Sequence, residues 1–166
     1  MDSVLGVDIG NGGETEPGKY ANSSIYAIYD GELMYSNYRS KNGNIIVLGH
    51  KLPNGVIFYS SYSHLASFNV PMVDKQDENP ENDIYFEMKI DGGTLIGKMG
   101  DTGGDWDAHL HLAVYTSSTK KGYTRSPYGY DNKIETEVFN GQRKGLPEYQ
   151  FFSPIEVIRT GGAILG

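Results

Sequence analysis

Asp107-Ala108-His109-Leu110-His111-Leu112-Ala113-Val114-Tyr115 is the stretch whose reading decides the fold. Two imidazoles one residue apart precede an alternating apolar run. In an extended strand, side chains at i and i+2 point to the same face. The pattern therefore predicts a strand with His109, His111 and Ala113 on one face and Leu110, Leu112 and Val114 on the other. The apolar face suits a core. The other face offers two imidazoles ~7 Å apart at ordinary strand rise, close enough to serve one site in different roles. The plainer alternative is two polar residues on the wet side of a half-buried strand. A His-x-His at the head of a strand, in a chain with only four histidines, favours the site.

Working outward, the same period recurs. Val4-Leu5-Gly6-Val7-Asp8-Ile9-Gly10 reads as a strand, with Asp8 either ending it or serving a site, since a carboxylate in an apolar run is costly unless paired. Gly10 to Asn22 reads as a loop. Ser24 to Tyr29 reads as a strand, joined through Asp30-Gly31 to Glu32-Leu33-Met34-Tyr35 as a hairpin. Asn42-Gly43 and Lys51-Leu52-Pro53-Asn54-Gly55 are turns around the buried strand Asn44 to His50, and Val56 to Leu65 is a long strand carrying His64 near its end. Residues 71–83 turn to Pro, Asp, Glu, Asn and Lys, a loop insertion within one domain spanning 1–166. Short strands are expected near Tyr85 to Ile90 and Leu95 to Gly100. Thr116 to Gln150 reads as long surface loops. Phe151 to Ile158 reads as a short closing helix or strand.

Composition narrows the class. The 166 residues suffice for one domain with a core, and short β-branched and aromatic runs between Gly, Asn, Asp and Pro indicate a mainly β, antiparallel domain. A formal charge of −7 argues against nucleic acid as partner, because phosphate binding needs a basic face. There are no cysteines, so disulfides and thiolate metal sites are excluded. No apolar segment is long enough for a membrane span, and Met1-Asp2-Ser3 begins no leader pattern. Asp8, His64, His109 and His111 stand at strand ends. Carboxylate oxygen and imidazole nitrogen are zinc's ligands, and further imidazoles can move protons or stabilise an oxyanion.

These residues carry a resemblance. Gly6-Val7-Asp8-Ile9, Ile25-Tyr26-Ala27 with Asp30-Gly31, Gly43-Asn44 with Ile46 and His50, Tyr62-Ser63-His64-Leu65, Ile96-Gly97, Gly100, Thr102-Gly103 and His109-Leu110-His111 follow one another in a family's order. In these blocks, from about Gly6 to Tyr115, the chain resembles the LytM/lysostaphin-type zinc metalloendopeptidases, the glycyl-glycine endopeptidases that cut peptide cross-bridges of bacterial peptidoglycan. The resemblance implies an antiparallel sheet core of the duplicated hybrid motif type, with a cleft on one face. It implies zinc as cofactor, peptidoglycan peptide as partner, and a place outside the cell, in the envelope or in a phage particle. Asp8 matches the carboxylate ligand and His111 a histidine ligand. His109 matches the catalytic histidine beside the activated water, and His64 the one that helps bind the polarised carbonyl. His50 matches a position often filled by histidine, read here as structural.

One position departs. The family's first zinc ligand is a histidine four residues before the aspartate, and here that residue is Val4, which has no donor atom. Asp2, Glu14 or the terminal amine are the substitutes the chain offers. The family's strands upstream of this point are also missing, which leaves an unpaired sheet edge and the expectation of a dimer through it. Three readings follow: a zinc-dependent peptidoglycan endopeptidase; a metal-deficient, non-catalytic domain that binds wall peptide or regulates a wall hydrolase; and a sugar- or protein-binding β domain using its 13 tyrosines. Trp106 is either a wall of the groove or an anchor of its loop.

Overall fold

The structure is a computed structural model that describes residues 2–3, 6–10, 16–39, 42–73, 88–117, 138–139, 142–143 and 149–165. In chain order the strands are β1 (Asp2–Ser3), β2 (Gly6–Ile9), β3 (Ser24–Tyr26), β4 (Gly31–Arg39), β5 (Gly43–Lys51), β6 (Ile57–Phe68), β7 (Met88–Ile90), β8 (Leu95–Met99), β9 (Leu110–Ser117), β10 (Val138–Phe139), β11 (Gln142–Arg143) and β12 (Tyr149–Phe152). Helix α1 (Pro154–Arg159) and a 3-10 turn (Ala163–Leu165) follow. The main sheet runs β1-β2-β9-β6-β5-β4-β7. Its pairings are antiparallel, as the alternation predicts.

The His-x-His run sits at the head of β9, flanked on one side by β6 and on the other by β2 and then β12. β9 contributes to three apolar clusters. Leu110 and Leu112 join Val7, Ile46, Leu48, Tyr62, Ile96 and Met99 on one face. Ala113 and Tyr115 join Tyr35, Ile45, Val47 and Tyr59 on the other, the face that carries His111. Val114 packs with Leu52, Phe58 and Val157 under α1.

Turn chemistry sets the hairpins. Asn42-Gly43 joins β4 to β5, with Gly43 at φ 65°. A Cβ on Gly43 would collide with the backbone of Thr102, so the glycine also lets the loop before β9 close onto β5. Leu52 to Gly55 joins β5 to β6, with Gly55 at φ 88°. The Ser153 side chain caps α1 by accepting from Glu156 N–H, and Pro154 occupies the first turn where its missing N–H costs nothing.

Two expectations are corrected. Ser24 to Tyr29 does not form a hairpin with Glu32 to Tyr35; β3 pairs with β8, and β4 with β5 and β7. Asp30-Gly31 is instead a corner tied to the 91–94 turn. Asp30 Oδ1 accepts from Gly92 N–H at 2.7 Å, and Ala27 exchanges backbone bonds with Thr94 and Gly93. Residues 116–150 are not wholly loop: Thr116 and Ser117 extend β9 to pair with β12, and β10 and β11 form a small antiparallel pair. Of 71–83, Val73 bridges to Ser36; 74–83, like Val4 and Glu14, lie outside the described residues.

His50 lies away from the other histidines, 2% exposed. Its Nδ1–H donates to Asp30 O at 2.9 Å, so Nε2 is the acceptor, 2.7 Å from Ser60 Oγ. Ser60 spends its one proton there. The Tyr62 hydroxyl, 2.9 Å away, must then donate to Ser60 Oγ while accepting from Ile28 N–H at 3.1 Å. The chain of bonds runs in one direction and needs a neutral imidazole. Burial supplies it, holding the His50 pKa down to about 4 against the opposing Asp30 bond, and pushing Tyr62 up to about 12.

Candidate active site

The sheet register builds the site. In the β2–β9 ladder Asp8 stands opposite His111, and on the other side of β9 His111 stands opposite Ser63. Asp8 Oδ1 accepts from His111 Nδ1 at 2.7 Å. His109 bridges to Gly100 just before β9. Its Nδ1–H donates to Asp107 O at 2.8 Å, and its Nε2 lies 3.8 Å from Asp8 Oδ1.

His64 arrives from β6 in an unusual conformation. Its φ is 67°, a left-handed backbone uncommon for a residue with a side chain. It sits where β6 leaves the regular register with β5, between Tyr62 and Leu65. His64 N–H donates to Asn42 O at 2.8 Å, and the ring Nδ1–H donates to Thr102 O at 2.9 Å. Thr102 is fixed in turn: its hydroxyl donates to Leu65 O and accepts from Asn44 N–H. The bulge brings the His64 ring to 4.7 Å from His109 and 6.1 Å from His111, centroid to centroid. Asp8, His64, His109 and His111 are thus brought together from β2, β6 and β9. The carbonyls of Thr102 and Asp107, which fix two of the rings, were not legible, because any residue type carries a carbonyl.

The charges follow from these contacts. The His111 hydrogen bond holds the Asp8 carboxyl below its usual range, against the desolvation that would raise it, and the three imidazoles add to the lowering. His64 is 7% exposed, and burial brings its pKa down to about 4 despite the Thr102 bond. With Nδ1–H committed to a carbonyl, the neutral His64 and a neutral His109 each keep a lone pair at Nε2. The cluster is therefore one carboxylate with imidazole nitrogens around it, a set that attracts a proton or a cation.

The donor chemistry suits zinc, whose ligands are imidazole nitrogen and carboxylate oxygen. Two ligands on one tetrahedral zinc stand roughly 3.3 Å apart at the usual bond lengths. Asp8 Oδ1 and His111 Nδ1, at 2.7 Å, stand closer than that, at hydrogen-bond distance. The number of donors falls short: among the described residues no three His, Cys, Asp or Glu are grouped to hold a metal ion. The donor types are those of a zinc site, and the number grouped among the described residues is below the three protein ligands a catalytic zinc usually has. No helix among the described residues is long and apolar enough to cross a membrane.

Comparison with known proteins gives the context. No curated protein matches the chain. Among solved structures it is similar to the catalytic domain of the antimicrobial peptidase lysostaphin from Staphylococcus simulans, at 23% identity over 76% of this chain and 77% of that one, with a TM-score of 0.48. It is similar to the catalytic domain of the prophage-encoded M23 protein EnpA from Enterococcus faecalis, at 18% identity over 69% and 68% of the two chains, TM-score 0.44. It is also similar to a zinc-containing peptidase from Vibrio cholerae, at 21% identity over 57% of this chain, TM-score 0.43, and spans 24% of that longer protein. The family model for peptidase family M23 matches residues 6–123, a span that holds Asp8, His64, His109 and His111, and the chain belongs to that family.

Proposed function

We propose that this chain is a zinc-dependent endopeptidase that hydrolyses the peptide cross-bridges of bacterial peptidoglycan, and so works outside the cell, in the envelope or in a phage particle. The observation that carries this reading is the Asp8–His111 contact with two further imidazoles, His109 and His64, beside it. Asp8 Oδ1 and His111 Nδ1 are the atoms to hold the ion, His111 releasing its Nδ1 proton to do so. Zinc, when bound, supplies a charge that acidifies water and polarises a peptide carbonyl. His109 is the base: Asp107 O fixes its Nδ1–H, so Nε2 receives the proton of the attacking water. The water oxygen bonds to the carbonyl carbon, the C–N bond breaks, and the proton held at His109 Nε2 leaves on the new amine. His64 offers a lone pair at Nε2 while neutral, and becomes a donor to the carbonyl oxygen when it takes up a proton there. Its burial disfavours that protonated form.

A second reading is a domain of the same family that binds wall peptide without cutting it. Valine at position 4, and the count of two ligands, favour it. One experiment separates the two. Purified peptidoglycan is incubated with the full chain in zinc-containing buffer, and newly exposed amino groups are counted. The hydrolase reading expects release that a chelator stops and added zinc restores. Sedimentation of the protein with peptidoglycan and no release establishes the second reading and overturns the first.

A further inference from the structure

We propose that Trp106 is a positioning residue for His64: its indole holds the imidazole on the Thr102 carbonyl and so keeps the ring in working orientation. The proposal rests on the hydrolase reading above for its consequence on rate, but not for the contact itself. The rings of Trp106, His64 and His109 form a triangle with centroid separations of 4.4, 4.7 and 6.0 Å. The Trp106–His64 side is the shortest, with the indole edge-on at 61°.

His64 needs such support. The hydrogen bond that fixes its ring is a single one to a backbone carbonyl, a modest restraint by itself. The backbone beneath is in a left-handed conformation, which the surroundings must impose. The indole packs against the imidazole, which is only 7% exposed, and in this proposal that contact is what restricts the ring's rotamers. An anchor that merely pinned the loop would be expected to bury its indole in a core. Trp106 instead stays 39% exposed, against the site imidazoles.

The loop sequence makes room for this. Gly104 does not have a left-handed backbone, so its φ is no bar to alanine. A Cβ there would collide with the six-membered ring of Trp106, and the nearest atoms it would meet all belong to that indole. Glycine at 104 thus leaves the indole the space it occupies. It also gives a way to shift the indole without altering it.

The test uses the full chain, zinc-loaded, as wild type, Trp106→Phe, Trp106→Ala, Gly104→Ala and a distant control, Ile158→Ser on the exposed side of α1. The first readout is the imidazole NMR spectrum, in which the His64 Nδ1–H held on Thr102 O gives a protected, downfield proton. The second is emission of the single tryptophan, which reports whether Gly104→Ala moves it. The third is kcat and KM on a fluorescence-quenched peptide with a central Gly-Gly bond. The proposal expects the His64 proton to be lost in Trp106→Ala and Gly104→Ala and kept in Trp106→Phe and the control. It expects kcat to fall about ten- to a hundredfold in the first two, with KM within about threefold and partial rescue by phenylalanine. An unchanged His64 proton in both Trp106→Ala and Gly104→Ala overturns it, as does a loss confined to KM. If the wild type cleaves nothing, the hydrolase reading fails, and the His64 proton alone still decides for or against Trp106. If Trp106→Ala does not fold, Gly104→Ala decides.

Discussion

Asp8 and His111 meet across the β2–β9 ladder, Oδ1 to Nδ1 at 2.7 Å, although 103 residues separate them in the chain. The ladder register puts the two residues directly opposite each other, within reach of this contact. Asp8→Asn keeps an oxygen for the His111 N–H and removes the negative charge. Zinc affinity, measured by competition with a chromophoric chelator, is expected to fall about a hundredfold, while the urea midpoint stays nearly constant because Asp8 is half exposed. Unchanged affinity would remove Asp8 from the ligand set.

Valine at position 4 bears on the same equilibrium. If a full four-ligand site is worth ~10–16 kcal/mol, one ligand is crudely worth ~3 kcal/mol. Val4→His is then expected to tighten zinc binding by on the order of a hundredfold. The same chelator competition reads it. No gain would mean that position 4 does not correspond to the family's first ligand.

How much of this was legible follows from which interactions depend on residue type. The period of His109 to Tyr115 gave the strand and its two faces, because alternation is a property of side chains. The turns at Asn42-Gly43 and Leu52 to Gly55 were legible for the same reason. Asp30-Gly31 misled, because a dipeptide that suits a hairpin turn also suits a corner, and only the bonds to Gly92, Gly93 and Thr94 distinguish them. The convergence of Asp8 with His111 came from the family resemblance, since no local pattern links residues so far apart. The left-handed backbone of His64 and its tie to Thr102 O had no sequence signal. Even at histidine a positive φ is too uncommon for the residue type to announce it, and the acceptor is a backbone atom.

Gly43 is expected to be among the least tolerant positions. Alanine there meets both a left-handed φ of 65° and the Thr102 backbone. Gly43→Ala should cost about 2–4 kcal/mol in urea unfolding. It should also loosen Thr102 from His64, seen as loss of the His64 Nδ1–H signal. A cost near zero would show that the β5 end and the 101–107 loop are not closed on each other as described.

His50 gives the fold a pH dependence of definite sign. Its folded pKa is about 4, below the ordinary 6.5, so between those values the unfolded chain takes up a proton that the folded one refuses. Stability is therefore lost as pH falls from about 6.5 towards 4 and levels off below, by roughly 3 kcal/mol from this group. His50→Gln should abolish that part of the slope, whatever it does to stability at pH 7. Urea midpoints for both proteins at pH 7 and pH 4.5 decide it, and parallel slopes would show that His50 is not the buried neutral group described.

The most direct measurement of the central claim is anomalous diffraction at the zinc edge from zinc-soaked crystals of the chain. The account predicts one strong peak within bonding distance of Asp8 Oδ1 and His111 Nδ1, with the His64 and His109 rings beside it. A peak elsewhere on the protein, or none at saturating zinc, would contradict it.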